Sequence, residues 1–161
     1  MKHHAMIGII ALGVLASVVS GAAQAQNDNL IVPGVRVGPV TLGMTDADLY
    51  KMLGEPAQTM VTSNGARIHY VYSSLNVGVD RDSHIVVAVE THDPAYATAG
   101  GIKFGSSSLA LTVAKLGPQE EGSCGPPDLC EYTTDNGLHV GLDDKGRVNS
   151  LTVVKDGFGA Y

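Results

Sequence analysis

The sequence LNVGVD at residues 75–80 returns as LHVGLD at residues 138–143. In both stretches apolar residues alternate with small or polar ones, the period of two that is typical of a strand with one buried face. An aspartate ends each stretch and begins a segment rich in Asp, Ser or Gly, which favours a turn. The two stretches lie 63 residues apart, and their similarity predicts an internal repeat.

The repeat extends to the residues around these strands. Six pairs keep the same offset: Leu53 and Leu116, Gly54 and Gly117, Val77 and Val140, Gly78 and Gly141, Asp80 and Asp143, Ile85 and Val148. In each unit a hydroxyl residue, a short apolar stripe and a Gly before a Pro predict one short helix. The predicted helices span residues 46–53, with Leu49, Met52 and Leu53 on one side, and residues 108–116.

The pattern predicts an α+β fold. Tandem duplicated helix-plus-antiparallel-strand units form one sheet, and short helices pack on one face of it. The last strand, residues 148–154, breaks strict alternation, which predicts a bulge. We divide the chain into a signal peptide at 1–25, a flexible N-terminal segment at 26–35, repeat unit 1 at 36–92, a linker at 93–101, repeat unit 2 at 102–155 and a C-terminal tail at 156–161.

The start of the chain is typical of a secretory signal peptide. A short basic beginning is followed by an apolar stretch and by the small-residue sequence Ala23-Gln24-Ala25, so we expect cleavage after Ala25. The apolar stretch is shorter than the ~20 residues that a membrane-spanning helix needs. We therefore expect a soluble periplasmic or secreted protein without a membrane anchor.

Charge and cysteine content narrow the function further. The net charge is −6, which disfavours nucleic acid as a partner because its binding draws on Lys and Arg. The two cysteines, Cys124 and Cys130, flank a five-residue segment, and export to an oxidising compartment predicts a disulfide between them. A redox-active pair is the alternative, but the spacing is not C-x-x-C. We expect a monomer.

The motifs of the two units resemble a known superfamily. In the first unit they run G-M-T-x3-L-x3-LG-x-P and then a Tyr-x-Tyr strand. The second unit begins similarly with G-S-S and has LG-P, and both units contain L-x-V-x-[VL]-D-x4-[IV]. This pattern is similar to the repeat of the β-lactamase-inhibitor-protein superfamily, which includes the SmpA/OmlA lipoproteins, and the resemblance covers residues 36–154. It implies small helices on one face of an antiparallel sheet, and another protein bound on the free face of that sheet. The chain departs from these relatives because it has no lipidated cysteine, no Trp and only two Phe.

Catalytic and metal motifs are sparse. The chain has no G-x-S-x-G sequence and no H-x-x-x-H pair. A weak candidate for a metal site is the group Asp80, Asp82 and His84, whose spacing could present three ligands on one side, although turn composition explains the same residues. We expect no cofactor and no enzymatic activity.

The sheet itself is the predicted binding surface. If Leu75, Val77 and Val79 face the helices, Asn76 and, in the second unit, His139 face outward. In the preceding strand, either His69 or the pair Tyr70 and Tyr72 shares that outer face, because a slip of one residue exchanges the two sets. The candidate partner-binding residues are His69, Tyr70, Tyr72, Asn76, Tyr132 and His139.

The sequence therefore favours an exported soluble protein-binding module, either inhibitor-like or an accessory of envelope assembly. Its expected partner is another envelope or extracellular protein. A small-ligand or metal-binding periplasmic protein is the alternative, and a small secreted hydrolase is a third.

Overall fold

The structure, a computed structural model, describes residues 29–105, 123–125 and 129–157. Within these residues the chain is a mixed α+β fold of one short helix and two sheets. The elements are β1 Leu30–Val32, β2 Arg36–Val37, β3 Val40–Thr41, α1 Asp46–Leu53, β4 Gln58–Val61, β5 Arg67–Val71, β6 Asn76–Asp80, β7 Val86–Thr91, β8 Ala97–Thr98, β9 Ser123–Gly125, β10 Leu129–Thr133, β11 Leu138–Leu142 and β12 Val148–Val154. The predicted signal peptide (1–25) and the second predicted helix (108–116) lie outside the described residues.

The first predicted helix is confirmed. The backbone N–H of Asp48 donates to Thr45 Oγ1 over 3.1 Å, so Thr45 is the N-cap. The helix ends at Gly54, whose φ of 77° lies in the left-handed region that glycine tolerates best. Leu49 is fully buried, whereas Met52 is 45% exposed. The buried stripe is therefore narrower than predicted.

The larger sheet has eight strands in the order β4-β5-β6-β7-β12-β11-β10-β9. Because β7 pairs with β12, the predicted continuous sheet is confirmed. The β11–β12 register shifts between Gly141 and Leu142, which confirms the bulge predicted in the last strand. An equivalent shift lies between Gly78 and Val79. Duplication of the whole unit stays a prediction, because the second helix is not among the described residues.

A second sheet of four strands was not predicted. It has the order β3-β2-β1-β8, and β1 pairs with β8 in parallel. β1 lies within the segment 26–35, which we predicted to be flexible, and β8 lies within the predicted linker 93–101. These strands were not predicted because strands of two or three residues are too short to show a period. Burial of Ile31 in the core fixes β1 in place.

One hydrophobic core joins the two sheets and the helix. It contains Leu49 of α1, Ile31 and Val37 of the small sheet, and Val77 and Val89 of the large sheet. Helix and small sheet therefore pack on the same side of the large sheet. We call this side the core face and the opposite side the outer face.

The two cysteines belong to neighbouring strands at the far edge of the large sheet. The register places Cys130 directly opposite Cys124, and residues opposite each other in antiparallel strands have Cα atoms about 4.5–5.5 Å apart. That range overlaps the separations found in disulfides. The bridge itself stays a prediction, since the two side chains lie outside the described part of the structure.

Candidate functional site

The register of β5 against β6 decides which residues reach the outer face. Tyr70 lies opposite Val77, and His69 lies opposite Gly78. Tyr70 is therefore on the core face, where its ring meets Tyr50 edge-on at 5.3 Å. Burial, helped by the contact with Tyr50, raises the pKa of Tyr70 to about 12. Tyr70 contributes to the core and not to the outer face, whereas His69 belongs to the outer face.

His69 lies against bare backbone. A Cβ added to Gly78 would meet the Ala88 Cβ at 3.3 Å and the His69 Cε1 at 3.8 Å. The imidazole ring of His69 therefore lies beside Gly78, over the middle of the sheet. In this position His69 is buried despite being polar.

A chain of polar contacts crosses the outer face from β5 to β12. His69 Nδ1 lies 3.4 Å from Asn76 Oδ1, and Asn76 Nδ2 donates to Glu90 Oε2 over 3.3 Å. Glu90 Oε1 is 3.3 Å from His92 Nε2, and His92 Nδ1 is 2.8 Å from the carbonyl oxygen of Asn149. Because a carbonyl only accepts, His92 Nδ1 is the donor of the last bond. We call these residues the polar chain.

The outer face continues across the second half of the sheet in the same row. Glu90 pairs with Thr152, which pairs with His139. His139 Nδ1 lies 3.1 Å from Thr133 Oγ1 on β10. Thr152 is buried and His139 is half-buried. The row therefore places Asn76 and His139, both predicted from sequence, on one face.

A groove of about 520 Å³ opens at the β4 end of this face. It is lined by Gln58, Met60, Val71, Tyr72, Ser73, Ser74, Leu75, Asn76, His92 and Asp93. Asn76 and His92 also belong to the polar chain, so one wall of the groove is fixed by hydrogen bonds. The volume lies within the range of about 300–1,000 Å³ that is usual for ligand sites.

The other wall of the groove is the edge strand β4. Gln58 lies opposite Val71 and Met60 lies opposite His69, so both point to the outer face. All four residues of β4 are exposed, including Met60 at 43% and Val61 at 55%. Apolar side chains this exposed on a sheet edge are unusual in a soluble domain.

The six candidate partner-binding residues are thus distributed unevenly. Asn76 and Tyr72 line the groove, and His69 contacts Asn76. His139 lies in the same row two strands beyond Glu90. Tyr70 is in the core, and the side chain of Tyr132 lies outside the described part of the chain. Glu90 and His92 were missed, because only cross-strand pairing brings them to Asn76 and no sequence motif contains them.

The weak metal candidate does not assemble. Asp80 Oδ1 accepts the backbone N–H of Ser83 over 2.9 Å and its hydroxyl as well, and the hydroxyl bond lowers the pKa of Asp80. His84 Nδ1 lies 2.8 Å from Asp46 Oδ2 at the start of α1. In the described ranges no three His, Cys, Asp or Glu side chains meet as metal ligands do. Asp80 therefore stabilises the turn itself, and His84 joins the turn to the helix.

Acid–base chemistry at the groove is limited by the bonds already made. Both ring nitrogens of His92 contact partners, Glu90 and the Asn149 carbonyl. Ser73 and Ser74 line the same groove, yet in the part of the chain described here no hydrogen bond joins either hydroxyl to a histidine. A serine nucleophile needs such a base within about 3 Å.

Comparison with known proteins identifies structural neighbours only. No protein-family model matches the chain, and no curated protein does. A DUF4309 family protein from Bacillus subtilis has a TM-score of 0.55 at 15% identity, over 76% of this chain and 88% of that one. An extracellular protein containing an SCP domain from Bacillus anthracis has a TM-score of 0.50 at 14% identity, over 71% of this chain and 44% of that one.

A cysteine-rich secretory protein from Staphylococcus aureus has a TM-score of 0.48 at 11% identity, over 80% of this chain and 49% of that one. This chain therefore spans less than half the length of the last two neighbours. At such identities the likeness concerns the fold alone. No helix among the described residues is long and apolar enough to cross a membrane.

Proposed function

We propose that the protein is an exported protein-binding module whose partner docks on the outer face of the large sheet, at the groove. One observation carries the proposal. Helix α1 and the small sheet both pack on the core face, while the β4 end of the outer face holds a groove of about 520 Å³ between an exposed edge and the polar chain.

The polar chain suits a binding surface because its side chains are held in place before a partner arrives. Asn76 bonds to Glu90, which also contacts His92. Side chains that are already fixed lose little conformational entropy on binding, and this favours affinity. Met60 and Val71 add apolar surface beside these polar groups. Apolar surface with a few fixed polar groups is the usual composition of a recognition site.

Export rests on the sequence. The predicted signal peptide at 1–25 would deliver a soluble chain to the periplasm or the exterior, where the Cys124–Cys130 bridge would form. The partner is then another envelope or extracellular protein. The resemblance to the β-lactamase-inhibitor-protein superfamily supports a protein partner, either an enzyme that is inhibited or a component of envelope assembly.

A small-ligand binding protein is the second candidate, favoured by the volume of the groove. The two functions predict different behaviour. A protein partner stays on the immobilised chain in stoichiometric amount, whereas a small ligand raises the melting temperature without retaining any protein. We do not propose a hydrolase, because both nitrogens of His92 are engaged and, within the described ranges, no hydrogen bond joins a groove serine to a histidine.

The test is an affinity capture from envelope extract and culture supernatant with the mature chain as bait. We expect one protein to be retained stoichiometrically by the wild type. Replacing Asn76 by arginine fills the groove and breaks the bond to Glu90. The N76R variant should therefore retain at least about tenfold less of the partner than the wild type does, as expected for a lost central contact. The matched control is N29R, the same change at exposed Asn29 beside β1.

The control variant should retain the partner as the wild type does. Thermal melts of both variants check that they are folded. If N76R and N29R retain the same amount of partner, the outer-face groove is not the binding site. If no protein is retained under any condition, the protein-binding function itself is wrong.

A further inference from the structure

Among the described residues, no strand pairs with the side of β4 that faces away from β5, and this free edge presents backbone groups in a defined pattern. The N–H of Thr62 donates to the Arg67 carbonyl over 3.0 Å. In an antiparallel pair the hydrogen-bonded positions alternate, so Met60 also bonds toward β5. At the start of the strand the N–H of Ala57 donates to the Val71 carbonyl over 2.9 Å. The N–H and C=O groups of Thr59 and Val61 therefore point away from β5, toward the free edge.

Soluble proteins usually protect such an edge with lysine, proline or a bulge within the strand. The β4 sequence Gln58-Thr59-Met60-Val61 contains no charged residue and no proline, and its register with β5 is regular throughout. Its side chains are exposed on both faces. The edge is therefore open to pairing with a further strand.

The length of the edge indicates what kind of chain can pair with it. Two four-residue edges of folded domains would bury far less than the roughly 1,200 Å² that stable interfaces between folded proteins bury. An extended peptide needs less area, because it can pair with the edge and also lay alternate side chains into the groove beside Gln58 and Met60. A flexible segment of a partner fits this edge better than a second copy of the chain.

Charge indicates the composition of that segment. The chain has a net charge of −6, which opposes association with a second copy. The groove has the carboxylate of Asp93 in its lining, and Glu90 contacts the lining residues Asn76 and His92. No lysine or arginine is among the lining residues that the structure describes. An apolar stem with a cationic end, as in lysine or arginine, matches this surface.

We infer that β4 accepts an extended segment of the partner as a ninth strand of the large sheet, with a basic side chain directed to the groove. This inference rests on the proposed function and specifies its partner. Strand pairing supplies affinity through the backbone of Thr59 and Val61, and the groove supplies the preference for a basic residue.

Fluorescence anisotropy with labelled synthetic peptides tests the inference. One hexapeptide alternates valine with lysine, and a second alternates valine with glutamate. We expect the lysine peptide to bind the mature chain at least about tenfold more tightly, a difference of about 1.4 kcal/mol. Two further forms of the lysine peptide carry N-methyl groups on one or the other set of alternate amides. Their affinities should differ, because only one set of amides faces β4. One form should lose at least about tenfold in affinity, as expected for lost hydrogen bonds.

Two variants supply the matching test on the protein. T59P removes the outward N–H of Thr59 without removing a bond to β5, and edge strands tolerate such a proline. The affinity of T59P for the lysine peptide should be at least about tenfold lower than that of the wild type. T59A keeps that N–H and should weaken peptide binding much less than T59P does, because it measures the loss of the side chain alone. Equal binding of both charge forms, equal effects of the two N-methylations, unchanged binding by T59P, or no saturable binding would overturn the inference.

The capture experiment separates this failure from failure of the proposed function. If T59P still retains the natural partner while N76R does not, the groove binds the partner without strand addition. The protein-binding function then stands, and the inference about β4 is wrong.

Discussion

Replacing Gly137 by alanine is expected to lower the free energy of unfolding by about 3 kcal/mol, the sum of a backbone and a packing cost. Gly137 has a φ of 77°, and a Cβ there would lie 2.7 Å from the Val154 carbonyl oxygen and 3.3 Å from the Gly34 Cα. Both contacts are to backbone, so no side chain can rotate away. Chemical denaturation followed by circular dichroism measures the loss.

The matched control is G43A. Gly43 has a similar φ of 83°, but a Cβ there would meet nothing within 4 Å. The control therefore carries only the cost of the left-handed backbone, about 1–2 kcal/mol. Equal losses in the two variants would show that the turn at Gly137 does not contact Gly34 and β12. The result thus reports whether the segment before β2 is fixed against the large sheet.

Replacing Leu49 by alanine is expected to cost about 3 kcal/mol, within the range of 2–5 kcal/mol for buried leucines. Leu49 is the one fully buried residue of α1 and joins the core cluster of the large sheet. Removing it leaves a cavity under the helix. The same denaturation measurement gives the change in free energy.

M52A is the control on the same helix. Met52 is 45% exposed, so its truncation should cost less than about 1 kcal/mol, as surface substitutions usually do. If M52A lowered the free energy of unfolding as much as L49A does, a different face of α1 would pack against the sheet. The pair therefore tests the assignment of the core face, on which the location of the groove depends.

Much of the fold could be predicted because its signals are local. Thr45 and Gly54 mark the ends of α1, and the helix bounds of 46–53 agree with the structure. The bulge in β12 was visible as a break in apolar alternation and is confirmed by the register. The small sheet could not be predicted, because its strands have two or three residues and are held by tertiary contacts such as the burial of Ile31.

The site was predicted only in part, because it depends on pairing between strands. Alternation left two choices for β5, with either His69 or Tyr70 on the outer face, and only the pairing of His69 with Gly78 decides between them. Glu90 and His92 join Asn76 from another strand, and nothing in their own sequence indicates this. The edge strand β4 was missed because its four residues do not alternate in polarity and are all exposed.

Amide hydrogen exchange measured by NMR tests the central claim, that a partner segment pairs with β4 beside the groove. In the free protein, the amides of Thr59 and Val61 should exchange fast and that of Met60 slowly, since of these three amides only that of Met60 bonds toward β5. Adding the lysine–valine peptide at saturation should slow amide exchange at Thr59 and Val61 at least about tenfold, because their N–H groups then pair with the added strand. Unchanged exchange at Thr59 and Val61, together with protection elsewhere in the sheet, would contradict the account.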